Sequence, residues 1–175
     1  MFSRRSLWIF GLIALALIAA ALFLSSSSFV LCIRAASEGQ DLARIPVAPG
    51  DRFEVKYTHS MFGVPQVETF SIAPDGHFLL EKVSFGSQAA ALYYDPSPRQ
   101  ALTFRDGFWV LRGDGTNYSV LRYRVSPGTG HVLTVKERRV DLSRTVTGPG
   151  ELIEVKMEER PRIAQDLSGL WRKIE

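Results

Sequence analysis

Residues 51–72 read Asp51-Arg52-Phe53-Glu54-Val55-Lys56-Tyr57-Thr58-His59-Ser60-Met61-Phe62-Gly63-Val64-Pro65-Gln66-Val67-Glu68-Thr69-Phe70-Ser71-Ile72. Side chains of a strand alternate between its two faces with period 2. Phe53, Val55, Tyr57 and His59 therefore share one face, and Arg52, Glu54, Lys56, Thr58 and Ser60 share the other. The first set is apolar and marks the core side. In the second half Phe70 and Ile72 mark the core side, and Glu68 has their parity. The two halves read as a β-hairpin. A register that pairs Val55 with Ile72 and Tyr57 with Phe70 sets His59 opposite Glu68. Directly opposed residues have Cβ atoms about 4.5–5.5 Å apart, so this register predicts an imidazole–carboxylate contact at the inner mouth of the hairpin. A one-residue slip would turn Glu68 outward.

Similar patterns surround this stretch. Phe29–Ala36 and Asp41–Val47 read as strands, and Pro49-Gly50-Asp51 as a turn. Pro74-Asp75-Gly76 is a second turn, leading into His77–Phe85. There Leu79, Val83 and Phe85 are expected to share the inner face with Ile72, and Glu81 to point inward opposite Phe70. Gly86–Ala91 is rich in small residues, and Tyr93-Tyr94-Asp95-Pro96 closes it. Gln100–Arg112 carries the sharpest hairpin signal. Asp106-Gly107 is a two-residue turn flanked by apolar alternation, which pairs Phe104 with Trp109 and Leu102 with Leu111. Ser119–Val125 alternates with Leu121, Tyr123 and Val125 inward and Arg122 and Arg124 outward. His131–Val135 and Glu151–Met157 follow, and Pro149-Gly150 is the turn before the last. Many short strands separated by turn signals predict an all-β domain, an antiparallel β-sandwich or partly open barrel.

The termini differ. Arg4 and Arg5 precede an apolar run from Leu7 to Leu24, and serines 25–28 follow. The run is expected to be a transmembrane anchor, or a signal peptide cleaved within the serines. Arginines that stay inside place the rest of the chain outside the cytoplasm. The expected localisation is the inner membrane with a periplasmic domain, or the periplasm after cleavage. At the other end Ile163, Leu167, Leu170, Trp171 and Ile174 form one helical stripe, which predicts a short amphipathic helix. The expected organisation is 1–28 signal or anchor, 29–160 β domain and 161–175 C-terminal helix.

Composition narrows the function. The 175 residues carry a net charge of only +3, and no basic run is interleaved with aromatics, so nucleic acid is not an expected partner. A single cysteine, Cys32, makes no internal disulfide and excludes a cysteine-rich metal site. The polar cluster that stands out is Tyr57, His59, Ser60 and Glu68. Its simplest reading is a histidine clasped to a carboxylate at the edge of a core, and its functional reading is a binding site. Ser60 and His59 fall on opposite faces, which argues against a nucleophile–base pair. A metal site needs more ligands than His59, Glu68 and Glu81 supply. No catalytic residue, metal or cofactor is expected. His77 and His131 are expected to be solvated.

Pro49-Gly50-Asp51, Tyr57-Thr58-His59-Ser60, Pro65, Glu68, Asp75-Gly76 and Val83-Ser84-Phe85-Gly86 together resemble a family named domain of unknown function 1850. The resemblance covers about residues 29–158 by strand and turn layout. Members of that family are encoded beside, or fused to, the permease of TRAP-type transporters with TAXI-class solute receptors. After Phe-Gly they tend to have a second glycine-containing turn, where this chain has Ser87-Gln88-Ala89-Ala90. The resemblance implies an extracytoplasmic partner of an uptake system, in contact with the membrane and with the permease or its receptor. It implies no enzymatic activity. Two other classes stand beside it. One is an envelope hydrolase or metal-binding protein using His59 and Glu68, and the other is a structural β domain without a ligand.

Overall fold

The alternating segments form twelve strands in the computed structural model, which describes residues 27–94 and 101–161. They are β1 (Ser27–Ala35), β2 (Asp41–Val47), β3 (Arg52–Thr58), β4 (Pro65–Ile72), β5 (Phe78–Phe85), β6 (Leu102–Arg105), β7 (Phe108–Arg112), β8 (Asn117–Tyr118), β9 (Val120–Val125), β10 (Val132–Val135), β11 (Arg138–Asp141) and β12 (Glu151–Pro161). Two short helices interrupt them, α1 (Gln88–Tyr93) and α2 (Leu142–Thr145). One sheet has the order β2-β1-β12-β9. The other runs β11-β10-β3-β4-β5-β7-β6, with β8 paired to β5. Every pairing is antiparallel.

Both sheets contribute to one core. Leu31, Ile33, Leu121, Val125, Ile153 and Val155 come from the smaller sheet, and Phe53, Val55, Phe70, Ile72, Phe78, Phe85, Leu111 and Leu133 from the larger. Phe53 stacks on Phe70 at 5.1 Å and meets Phe78 edge-on at 5.2 Å. On the outer face of the smaller sheet, ion pairs such as Arg44–Glu158 at 3.0 Å and Arg122–Glu154 at 2.8 Å line the strands. Cys32 is buried on that face; burial, with the Glu158 charge nearby, pushes its thiol up to about 11.

The β6–β7 hairpin has the expected pairing, Phe104 with Trp109 and Leu102 with Leu111. Asp106 and Gly107 have φ of 51° and 81°, so both take the left-handed conformation that a type I′ turn requires. Along β9 Leu121, Tyr123 and Val125 are buried and Arg122 and Arg124 exposed, as the alternation predicts.

Two expected registers are corrected. In the β3–β4 hairpin Val55 pairs with Glu68, Tyr57 with Gln66 and Thr58 with Pro65. Each β3 residue thus meets a partner four positions earlier than expected. The chain closes a tighter turn, with His59 N–H donating to the Val64 carbonyl at 2.8 Å and Gly63 N–H to the His59 carbonyl at 2.8 Å. An even shift keeps every side chain on its face, so Glu68 still points inward, but His59 lies beyond the ladder and is not opposite Glu68.

The second correction is in β5. The β4–β5 register shifts between Thr69 and Phe70, so that Thr69 pairs with Lys82 and Phe70 with Leu80. Glu81 is the extra residue of a β-bulge, which moves the inward set from Phe78 and Leu80 to Val83 and Phe85. Glu81 therefore does not face the core. Its carboxylate takes Arg52 at 3.0 Å, and its carbonyl accepts Gly113 N–H at 2.7 Å. A Cβ on Gly113 would overlap the Leu80 carbonyl.

Among the described residues no helix is long and apolar enough to cross a membrane. The Leu7–Leu24 run and the C-terminal apolar stripe lie outside the described residues.

Candidate functional site

The site grows from the inward parity of three short stretches. Tyr57 closes the core row of β3, Gln66 and Glu68 occupy the core row of β4, and Tyr123 occupies that of β9 in the opposite sheet. An inward carboxylate is costly unless it is bonded. Glu68 takes three donors. The Tyr57 hydroxyl donates to Oε1 at 2.7 Å, the Tyr123 hydroxyl to Oε2 at 2.7 Å, and Gln66 Nε2 to Oε1 at 3.2 Å. Gln66 also donates to the Tyr57 hydroxyl at 2.6 Å, which leaves that hydroxyl's own hydrogen for Glu68. The Tyr123 bond ties the two sheets together through Glu68.

Burial outweighs these bonds and raises the Glu68 carboxyl above its ordinary value. Burial beside the same carboxylate lifts Tyr57 and Tyr123 far above the phenol range, so both remain hydroxyl donors. Tyr94 rises to about 12, first from burial and then from the Glu68 charge.

His131 is corrected from its expected solvated position. It is 7% exposed and stacks on Tyr57 with ring centroids 4.9 Å apart and planes 8° from parallel. The Thr129 hydroxyl donates to the Ser126 carbonyl at 2.7 Å, so its oxygen accepts from His131 Nδ1–H at 2.8 Å. That network assigns the ring proton to Nδ1 and leaves Nε2 as an acceptor. Ser143 on α2 accepts the backbone N–H of His131 at 2.8 Å. Burial lowers the imidazole below its ordinary value, which keeps it neutral.

A cleft of about 800 Å³ opens beside this cluster, and Tyr57, His59, Ser60, Tyr94, Arg124 and His131 are among its lining residues. A smaller cavity of about 360 Å³ shares Tyr57, Tyr94, Arg122 and Tyr123 with it and adds Glu68, Phe70 and Tyr118. All five tyrosines of the chain line one or both. The structure thus brings Tyr57 and Glu68 into contact. It places His59 and Ser60 on the cleft rim, in the turn after β3. The His59 ring accepts Met61 N–H at Nδ1 at 3.3 Å and packs edge-on against Phe62 at 5.1 Å and Tyr93 at 6.1 Å. Glu68 is not among its partners.

Gln66, Tyr94, Tyr123 and His131 are additions to the expected cluster. Parity already signals Gln66, which shares the inward row with Glu68, and Tyr123, which alternates with Leu121. Nothing local signals His131, whose burial depends on α2 and on the ring of Tyr57.

Among the described residues the rings of His59 and His131 bond no serine or cysteine side chain, and no three His, Cys, Asp or Glu side chains gather as a metal site would need. The arrangement is suited to holding a molecule against aromatic faces and fixed hydrogen-bonding groups. The model of the family described as a domain of unknown function, DUF1850, matches residues 53–142, a span that contains Tyr57, His59, Ser60, Glu68, Tyr123 and His131. No curated protein and no solved structure matches the chain.

Proposed function

Because the chain belongs to the DUF1850 family, a membership that carries no activity, we propose its role from its site: it is a non-enzymatic ligand-handling accessory of a TRAP-type (TAXI) uptake system, working on the extracytoplasmic side. The observation that carries the ligand reading is the pair of tyrosine-lined spaces, the cleft and the smaller cavity that the bonded Glu68 lines. A purely structural domain has no need of five tyrosines around open space. The transporter half of the reading is supported by the resemblance of the Tyr57–Ser60, Pro65 and Glu68 pattern to proteins encoded with such permeases. The extracytoplasmic address is supported by Arg4 and Arg5 ahead of the Leu7–Leu24 run.

The test is genetic. Removing the coding sequence for the β domain while keeping the permease should lower uptake of the transported solute with permease abundance in the membrane unchanged. Identical uptake kinetics with and without the domain would overturn the accessory role.

A further inference from the structure

Glu68 has hydrogen-bond donors but no cation. Its three partners are two phenols and an amide, all neutral. Buried carboxylates ordinarily have a charged partner or give up their charge. Arg122 of β9 borders the same cavity, but its guanidinium turns to the outer face of the sheet, where Glu154 on β12 holds it at 2.8 Å. The carboxylate is also not saturated. Two oxygens offer four lone pairs, and the three bonds leave one on Oε2, which receives Tyr123 alone. Glu68 is reached from the smaller cavity, which it lines.

The residues around it are aromatic. Tyr57, Tyr94, Tyr118 and Tyr123 line that cavity together with Phe70. Tyr118 stands edge-on to Phe70 at 6.3 Å, and Tyr57 edge-on to Tyr123 at 6.2 Å. Aromatic faces carry the negative end of the ring quadrupole and attract cations within about 6 Å of the centroid. A carboxylate without a cation, lined by four tyrosines and a phenylalanine, has the composition of an ammonium-binding cage.

We propose that the smaller cavity binds a small organic ammonium ion, with Glu68 as counter-charge and Tyr57, Tyr94, Tyr118 and Tyr123 as the cage. This inference rests on the ligand-handling reading and names its ligand class. The head of the ligand sits against Oε2 of Glu68, and its remainder extends into the larger cleft past Tyr94, which lines both spaces.

Titration calorimetry on the detergent-solubilised full chain tests it with three probes: choline, its uncharged isostere 3,3-dimethylbutan-1-ol, and benzoate. Choline should bind at least about tenfold more tightly than the isostere, the difference that a desolvated cation–π contact and the Coulombic attraction of Glu68 make. Glu68→Gln, which keeps the shape and removes the charge, should lose at least about tenfold in choline affinity. Tyr94→Leu removes a wall that does not hold Glu68 and is 40% exposed, so it keeps the fold. It should weaken choline about three- to tenfold and leave the isostere nearly unchanged. Equal affinity for choline and isostere, or choline affinity unmoved in either variant, would overturn the inference. Benzoate binding in place of choline would overturn it too, while leaving the ligand-handling reading intact. Binding of none of the three, together with unimpaired uptake after domain removal, would overturn both.

Discussion

The β6–β7 and β3–β4 hairpins are the same motif with different control. In β6–β7 two residues make the connection, and the turn alone sets the register. Asp106 and Gly107 both take positive φ, and only one pairing of the flanking residues is compatible with that turn. In β3–β4 the connection is longer, and several registers keep the same faces inward. The one adopted brings Phe53 against Phe70 and Gln66 against Tyr57. Register there is decided by what the inner side chains meet, including Tyr123 from the other sheet.

The largest effect should come from disturbing that tertiary control. Gly86 follows β5, and its N–H donates to the Pro65 carbonyl at 2.8 Å. A Cβ at Gly86 would stand 2.7 Å from Pro65 Cδ and 3.1 Å from Val64 Cβ. Gly86→Val should destabilise the domain by about 2–3 kcal/mol, the cost of overpacking at a rigid contact. Urea denaturation checks this. A loss below ~0.5 kcal/mol would mean that Pro65 moves freely and does not help set where β4 begins.

A smaller effect is expected at the local turn. Gly107→Val puts a β-branched residue at a φ of 81°, with nothing within 4 Å of the added Cβ. The cost is backbone strain alone, about 1–2 kcal/mol. An unchanged melting midpoint would show that this hairpin, like the other, is set by tertiary contacts.

The smallest effect separates with pH. The Glu68 carboxyl is held above its ordinary 4.5 by burial, so the folded chain binds its proton more tightly than the unfolded chain. Its contribution to stability is greatest below the unfolded value and falls as pH rises to the folded value. Glu68→Gln does not titrate. The stability of Glu68→Gln minus that of the parent should therefore rise as pH climbs above the ordinary carboxyl value, and level off once the folded carboxyl has ionised. The buried His131 acts in the other direction, losing stability as pH falls below 6.5, but it is common to both proteins and cancels in the difference. A pH-independent difference would show that Glu68 is not displaced from its ordinary value.

How much of this was legible follows from which forces are local. Alternation at Phe53, Val55 and Tyr57, and at Leu121, Tyr123 and Val125, is a property of consecutive residues and predicted the strands and their inward faces. The inward parity of Glu68 survived a four-residue change of register because that change is even. The bulge at Glu81 was not legible. It depends on Gly113, which follows β7 more than thirty residues on, donating to the Glu81 carbonyl, and the alternation of β5 alone carries no sign of it. The small-residue stretch Gly86–Ala91 runs into α1, whose start is capped by the Ser87 hydroxyl accepting from Ala90 N–H.

The site divides along the same line. Alternation alone puts Tyr57 and Glu68 on the core face and His59 and Ser60 at the end of their segment, since period-2 geometry needs no partner. Packing between strands and sheets settles that Glu68 bonds Tyr57, Gln66 and Tyr123 and not His59. A strand's parity says which way a side chain points. Which group waits there depends on how far the neighbouring strand has slid and on what the opposite sheet presents.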